Sequence, residues 1–296
     1  MKNNINKRTK KNRKINILIK PTLKNKNNWF GNGLDILFGL IYLIDKFKNI
    51  SIPITEIKQN ILYDISLVFN CDSSKKSFNE KYKSYKLSFP TQSKEIFLKN
   101  LKKSLKSKKR FVIIHLALFW TPECGSIGHS NMLIIDTKFK TIERFEPYGQ
   151  ISDKTEKKIS SLFDIKFTEF INDNKLNLKY IPPFDFCPYI SFQKQEEKNI
   201  NNDLTNEYSN DPQGFCGVWG IYYLELRLSN PNLKNYDLIQ YAIQTIKESP
   251  KSFRRIIRNY SNSILLLRNQ FMKKVDKNCK HNCVSNLLNL KVKTFI

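Results

Sequence analysis

The chain has 296 residues, of which 40% are apolar and 12% aromatic. This is enough apolar side chain for a hydrophobic core of one or two domains, which excludes a chain that is disordered throughout. The formal net charge of +25 favours a polyanionic partner, although a Lys-rich composition by itself also produces a solvated basic surface. Residues 1–28 hold ten Lys or Arg and no acid, and residues 251–296 hold eleven against one Asp.

The sequence shows no membrane or secretion segment. The longest apolar run near the start, residues 36–44, is about half the length of a bilayer span. Residues 1–27 lack the apolar core of a signal peptide and are predicted to form a disordered basic arm. We therefore expect an intracellular protein, neither secreted nor transmembrane, whose six scattered cysteines stay reduced.

An N-terminal helical region is predicted over residues 28–110. Apolar side chains at helical spacing predict a helix at about 34–47, and residues 93–106 have the pattern of a basic amphipathic helix. Residues 54–68 fit a short helix or a strand. The polar residues 71–92 are predicted to form a loop.

A β-rich core follows at 111–235. Its predicted strands are residues 111–120, 130–136, 141–147 and 176–182. Its predicted helices are residues 153–163 and 215–230, with a polar loop at 193–211 between them. A C-terminal helical basic region at 236–296 begins with two helices that are separated at Pro250. This order of helices and strands predicts an α+β fold.

A histidine precedes the first strand of one predicted hairpin, and a carboxylate closes its second strand. His129 opens the strand 130–136, and Glu146 closes the next strand, so a hairpin would bring them together at the same end. Glu146 could then accept a hydrogen bond from the imidazole and orient it as a general base. Asp136 at the far end of the hairpin and Glu143 are the competing acids.

A cysteine begins the strongest predicted helix. A thiolate at Cys216 would be stabilised by the helix N-terminus and by a nearby imidazolium. Gly217 would let the backbone approach a substrate closely. Gln213 could offer a side-chain N–H to an oxyanion, beside the Cys216 backbone N–H.

These residues resemble the cysteine protease superfamily that contains adenain and the SUMO-specific proteases. The family order is His, acid, Gln, Cys, which matches His129, Glu146, Gln213 and Cys216. The likeness covers about residues 111–230 and is nearest to the branch of large DNA viruses that includes the African swine fever virus polyprotein protease. It implies a papain-like fold with a central mixed sheet flanked by helices, and a catalytic core at 111–235.

Three positions depart from the family pattern. Ser130 stands where the SUMO proteases usually have Trp after the histidine, and Phe215 stands where an acidic residue often precedes the cysteine. The family's Gln usually lies about six positions before the cysteine, where this chain has Asn210. The oxyanion donor is therefore either Gln213 or Asn210.

The resemblance implies a cysteine endopeptidase that cleaves peptide or isopeptide bonds, often after Gly, in viral polyproteins or ubiquitin-like conjugates. No cofactor and no metal are expected, and the basic segments suit a DNA partner. The alternatives are a decayed protease fold that binds nucleic acid, and an acetyltransferase that uses the same triad.

The remaining candidate residues are interpreted as structural. His115 lies inside an apolar strand and is expected to be buried. His281 lies between Cys279 and Cys283, but this spacing is unusual for zinc and no distant pair completes four ligands.

Overall fold

A computed structural model describes residues 29, 33–53, 64–70, 74, 84–90, 92–118, 128–150, 154–198 and 215–273. The predicted arm at 1–27 and residues 274–296 lie outside this range, as do His281 and four of the six cysteines.

The described residues form helices and strands in the following order: α1 (Gly33–Lys46), β1 (Ile50–Ser51), β2 (Ile65–Asn70), β3 (Ser84–Ser88), α2 (Lys94–Lys106), β4 (Phe111–Leu118), β5 (His129–Asp136), β6 (Thr141–Phe145), α3 (Lys154–Asp173), β7 (Lys179–Ile181), α4 (Pro183–Phe186), α5 (Phe192–Lys198), α6 (Cys216–Ser229), α7 (Asn235–Glu248) and α8 (Phe253–Lys273).

The strands form one mixed sheet in the order β3-β2-β4-β5-β6-β7, with β1 beside the first residues of β4. β2 and β1 run parallel to β4, and β7 runs parallel to β6. The remaining pairs are antiparallel. Every residue of β4 is buried, as expected for a strand that is covered on both faces of the sheet.

Two hydrophobic clusters cover the two faces of the sheet. α1, α6, α7 and α8 pack on one face, where β4 contributes Phe111 and Ile113. α2 and α3 pack on the other face, where the alternate residues Val112 and Ile114 point. The predicted α+β class is confirmed, with a central mixed sheet flanked by helices. None of the described helices is both long and apolar enough to cross a membrane.

Several predicted elements are in place, namely α1, α2, β4, the β5–β6 hairpin, α6 and the two helices that follow it. Ser93 caps α2, since its hydroxyl accepts the Ile96 N–H at 3.3 Å.

Other predictions are wrong. β3 lies inside the segment predicted as the loop 71–92, and α5 begins at Phe192 and occupies the first six residues of the predicted loop 193–211. α3 continues to Asp173 instead of ending at 163, because Phe163, Phe167 and Phe170 bury one face of its second half. Residues 28–110, predicted to be helical, also contribute β1, β2 and β3 to the sheet, because apolar residues of β2 such as Leu67 pack into the hydrophobic cluster on one of its faces. The division into domains stays a prediction.

Helix α6 lies very close to strand β5. A Cβ atom added at Gly220 would lie 2.7 Å from Met132 Cγ on that strand, well inside van der Waals contact. The absence of a side chain at Gly220 therefore sets the distance between the helix and the sheet.

We expect Gly220→Ala to lower the free energy of unfolding by about 1–3 kcal/mol, because overpacking this contact outweighs the higher helix propensity of Ala. Chemical denaturation measures this loss. Ser229→Ala, at an exposed position of the same helix, is the control and should change the stability by less than about 0.5 kcal/mol. An unchanged or increased stability of Gly220→Ala would show that the helix moves freely against the strand.

Candidate active site

The end of the β5–β6 hairpin brings a histidine and a carboxylate into contact. His129 is the first residue of β5 and Glu146 follows the last residue of β6. His129 Nε2 lies 2.5 Å from Glu146 Oε1, to which the Tyr148 backbone N–H also donates at 3.1 Å. Glu146 is completely buried, so its charge acts on the imidazole with little screening by water.

This carboxylate stabilises the protonated form of the histidine. Burial opposes a charged imidazole, but the charge of Glu146, its hydrogen bond and the neighbouring Cys216 sulfur outweigh burial and raise the pKa of His129 to about 10. The same interaction lowers the pKa of Glu146, although burial raises it.

The third group is the thiol of Cys216, the first residue of α6, which is partly exposed. Burial raises its pKa, but the hydrogen bond and positive charge of His129 more than compensate. The backbone N–H groups of Ser130 and Gly217 also donate to the sulfur, so the pKa of Cys216 falls below its ordinary value. At neutral pH the arrangement favours a thiolate–imidazolium pair.

The two competing acids are engaged elsewhere. Asp136, at the other end of the hairpin, accepts hydrogen bonds from Arg110 at 2.9 Å and 3.2 Å. Glu143 accepts from Arg227 at 3.2 Å and from the Tyr223 hydroxyl at 3.0 Å. Of the three acids considered from the sequence, the structure brings Glu146 to the histidine.

Residues 191–193, to which no sequence pattern drew attention, hold the loop after Glu146 by backbone hydrogen bonds. The Ser191 N–H donates to the Tyr148 carbonyl and the Gln193 N–H donates to the Pro147 carbonyl, each at 3.0 Å. This segment continues into α5, in which Glu196 accepts a hydrogen bond from the Trp219 side chain of α6 at 2.9 Å. The acid and the cysteine are therefore positioned partly by the same short helix.

Tyr148 is a further residue that the sequence did not single out. Its ring centroid lies 5.1 Å from that of His129, at an angle of 35°. Lys194 Nζ, on α5, lies 5.7 Å from the centroid of the Tyr148 ring. The pattern Glu-Pro-Tyr directly after the strand is the only sequence signal that could have drawn attention to it.

The glycine next to the cysteine lies in close contact with α1. A Cβ atom at Gly217 would lie 2.2 Å from Ile36 Cδ1 and 3.6 Å from Ser130 Oγ, so the space beside this glycine holds α1 and β5. Gly217 therefore allows close packing of α6 on α1, and the expected close approach of its backbone to a substrate stays a prediction. Gln213 and Asn210, the two predicted oxyanion donors, lie outside the described residues.

Cys187, directly after α4, is a second described cysteine and is buried. Burial raises the pKa of its thiol, and the Glu146 backbone N–H donates to its sulfur. Within the described ranges, no group of three or more His, Cys, Asp and Glu side chains could hold a metal ion.

Comparison with known proteins shows that the chain is similar to part of a larger viral protein. The chain is 31% identical over 294 residues to a protein of Acanthamoeba polyphaga mimivirus that is named as an ankyrin repeat protein. The match covers 93% of this chain and 36% of the relative, so the chain spans little more than a third of that protein's length. No protein-family model matches the chain.

Among solved structures, the Legionella pneumophila effector protein RavZ aligns over 88% of this chain and 78% of its own, with 10% identity and a TM-score of 0.29. A similarity at this level carries no argument about fold or function.

We expect Glu146→Gln to lower the pKa of His129 from about 10 towards its ordinary range, because the largest charge that favours the imidazolium is removed. An NMR titration of the imidazole measures the change, and the chain has only three histidines to assign.

Glu143→Gln is the matched control. It removes an equally buried carboxylate three residues away that interacts with Arg227 and not with the histidine. A His129 pKa that is the same in Glu146→Gln and in the unmodified protein would contradict the assigned role of Glu146.

Proposed function

We propose that the chain is a cysteine protease of the adenain and SUMO-protease superfamily. The observation that carries this proposal is the position of the His129 ring, which interacts with the buried Glu146 carboxylate on one side and with the Cys216 sulfur on the other. This is the arrangement that a thiol nucleophile, its base and an orienting acid require.

The first step forms a covalent bond between enzyme and substrate. The Cys216 thiolate attacks the carbonyl carbon of the scissile bond, and the negative charge moves to the carbonyl oxygen. The Cys216 backbone N–H, in the first turn of α6, is suited to donate to that oxygen, and Gln213 remains the predicted second donor. The His129 imidazolium then gives its proton to the leaving amine, and the thioester forms.

The second step regenerates the enzyme. Neutral His129 takes a proton from a water molecule, the resulting hydroxide attacks the thioester, and the carboxylic acid product leaves as the thiolate returns. Glu146 stays ionised throughout and holds the ring in the tautomer that this proton transfer needs.

The proposed substrates are viral structural polyproteins, with ubiquitin-like conjugates as the second branch of the family. The mimivirus source of the relative favours the viral branch. The resemblance to this family implies that the residue before the cleaved bond is often glycine. The charge of +25 supports DNA as a partner that would concentrate the enzyme near packaged nucleic acid.

Two other functions remain to be separated by experiment. A decayed protease that only binds nucleic acid would have no need of a buried carboxylate hydrogen-bonded to a histidine beside a thiol. An acetyltransferase would use the same three residues but pass an acetyl group to an amine, so it would leave peptide bonds intact.

We expect an iodoacetamide probe to label Cys216 rapidly below about pH 7, because the lowered thiol pKa maintains a thiolate there. Mass spectrometry locates the label. The buried Cys187, whose thiol pKa is raised, serves as an internal control that should stay unlabelled in the folded protein. His129→Ala should abolish the rapid labelling, and Cys216→Ala should remove the labelled peptide.

Labelling of Cys216 at the rate of an ordinary thiol with a pKa near about 8.5 would argue against the enzyme. The measurement is repeated with double-stranded DNA present, and a slow rate under both conditions rejects the proposal.

We expect peptides that end in Gly-Gly before the scissile bond, or that derive from viral polyproteins, to be cleaved by the unmodified protein and not by Cys216→Ala. Glu146→Gln should lower kcat by up to roughly 10⁴-fold, as loss of the orienting acid does in serine protease triads. Acetyl transfer from acetyl-coenzyme A to a lysine peptide, without any cleavage, would instead favour the acetyltransferase.

A further inference from the structure

A second histidine lies directly beneath the candidate active site. His115 is on β4 and is completely buried. Its Nε2 atom lies 2.6 Å from Ser130 Oγ on the neighbouring strand β5. In the β4–β5 register His115 faces Met132, so Ser130 is its diagonal neighbour on the face that α6 covers.

Ser130 in turn contacts the nucleophile. Its backbone N–H donates to the Cys216 sulfur and lowers the pKa of the thiol. Its hydroxyl lies under the start of α6, 3.6 Å from the point where a Cβ of Gly217 would be. The side chain of Ser130 thus binds His115 while its backbone binds Cys216.

The beginning of β5 has strand pairing on one side, besides the side-chain bonds of His129 with Glu146 and of Asn131 with Arg144. β6 pairs with β5 only from Met132 onward, so the sheet holds residues 129–131 through β4 alone. Because β6 does not pair with Ser130, the Ser130 N–H can donate to the Cys216 sulfur instead of to a strand carbonyl. A strand end that is paired on one side fluctuates more than the strand centre unless a side chain ties it down.

His115 is itself held by a buried acid. Its backbone N–H donates to Asp64 Oδ2 at 2.8 Å, and the Asp64 N–H donates to the His115 carbonyl at 2.9 Å. Burial raises the pKa of Asp64 to about 7, although the hydrogen bond from His115 opposes this. Among the described residues, the contacts of His115 and Ser130 lead to the titratable groups Asp64 and Cys216, and through Cys216 to His129 and Glu146.

We infer that His115 is a positioning residue of the candidate active site, which holds Ser130 so that its backbone N–H stays directed at the Cys216 sulfur. This rests on the proposed function, in which the Cys216 thiolate is the nucleophile. It also assigns a role to Ser130, which stands where the SUMO proteases usually have Trp.

The test is the apparent pKa of the Cys216 thiol, obtained from the pH dependence of its alkylation by iodoacetamide. Ser130→Ala and His115→Leu each remove the hydrogen bond between these two side chains and should raise this pKa by about one unit. A shift of this size is expected when one hydrogen bond to a charged group, here from the Ser130 N–H to the thiolate, is weakened. Ser130→Thr keeps a hydroxyl at the same position and should retain the pKa of the unmodified protein.

Ser51→Ala is the matched control. Ser51 is also a buried serine in a strand of the same sheet, and its hydroxyl donates to Ser104 Oγ at 3.0 Å, away from the active site. It should cost a comparable amount of stability without any change in thiol pKa. A shift of equal size in Ser51→Ala would reveal a general loosening of the fold and would overturn the inference.

The outcomes separate this inference from the proposed function. A Cys216 pKa in the unmodified protein that is ordinary and insensitive to His129→Ala rejects both. A lowered pKa that depends on His129 but is unchanged in Ser130→Ala and His115→Leu rejects only the role of His115. If His115→Leu does not fold, Ser130→Ala alone decides, since it removes one oxygen atom and leaves His115 in place.

Discussion

The register between β5 and β6 is the constraint on which the candidate site depends. Met132 faces Phe145 and Asp136 faces Thr141, so β6 ends opposite the fourth residue of β5, and Glu146 follows directly towards His129. A slip of one residue would turn every side chain of one strand to the opposite face of the sheet and would move residues such as Met132 and Leu133 into the wrong hydrophobic cluster. Burial of apolar side chains on both faces therefore fixes the contact between His129 and Glu146 without any contribution from catalysis.

Charged residues of β6 reinforce this register, since adjacent ones point to opposite faces. Glu143 meets Arg227 of α6 on one face at 3.2 Å. Arg144 meets Asp164 of α3 on the other at 3.0 Å and donates to Asn131 of β5 at 2.8 Å. Burying these ions is costly unless each finds its partner, so a shifted strand would leave them unpaired. Arg144 also lies 3.9 Å from Glu146 and favours its ionised form.

The sequence was sufficient for the parts of the fold that have strong patterns and insufficient for those that depend on context. Continuous apolar runs revealed β4 and α6, the predicted hairpin brought His129 and Glu146 together, and the family resemblance added Cys216. β3 and α5 have short, polar sequences that become ordered only because they pack on a neighbour. The bond between His115 and Ser130 joins residues 15 positions apart through strand pairing, which no local pattern expresses.

The charges of the site also determine how it contributes to stability at different pH. An unfolded chain has a histidine pKa of about 6.5 and a cysteine pKa of about 8.5. Between these values the unfolded chain holds one proton on sulfur, and the native protein, wherever Cys216 is ionised, holds one on the imidazole. Both states therefore bind the same number of protons, and the contribution of this pair to stability does not vary with pH.

Outside that interval the two states differ in opposite directions. Below about pH 6.5 the unfolded histidine binds a second proton, so stability falls with acidification for as long as Cys216, whose pKa is lowered, stays a thiolate in the native protein. Above about pH 8.5 the unfolded thiol loses its proton while His129 keeps its own up to about pH 10, so stability falls again. The pair stabilises the fold most where it is also the reactive ion pair, because the same buried charges of Glu146, His129 and Cys216 produce both effects.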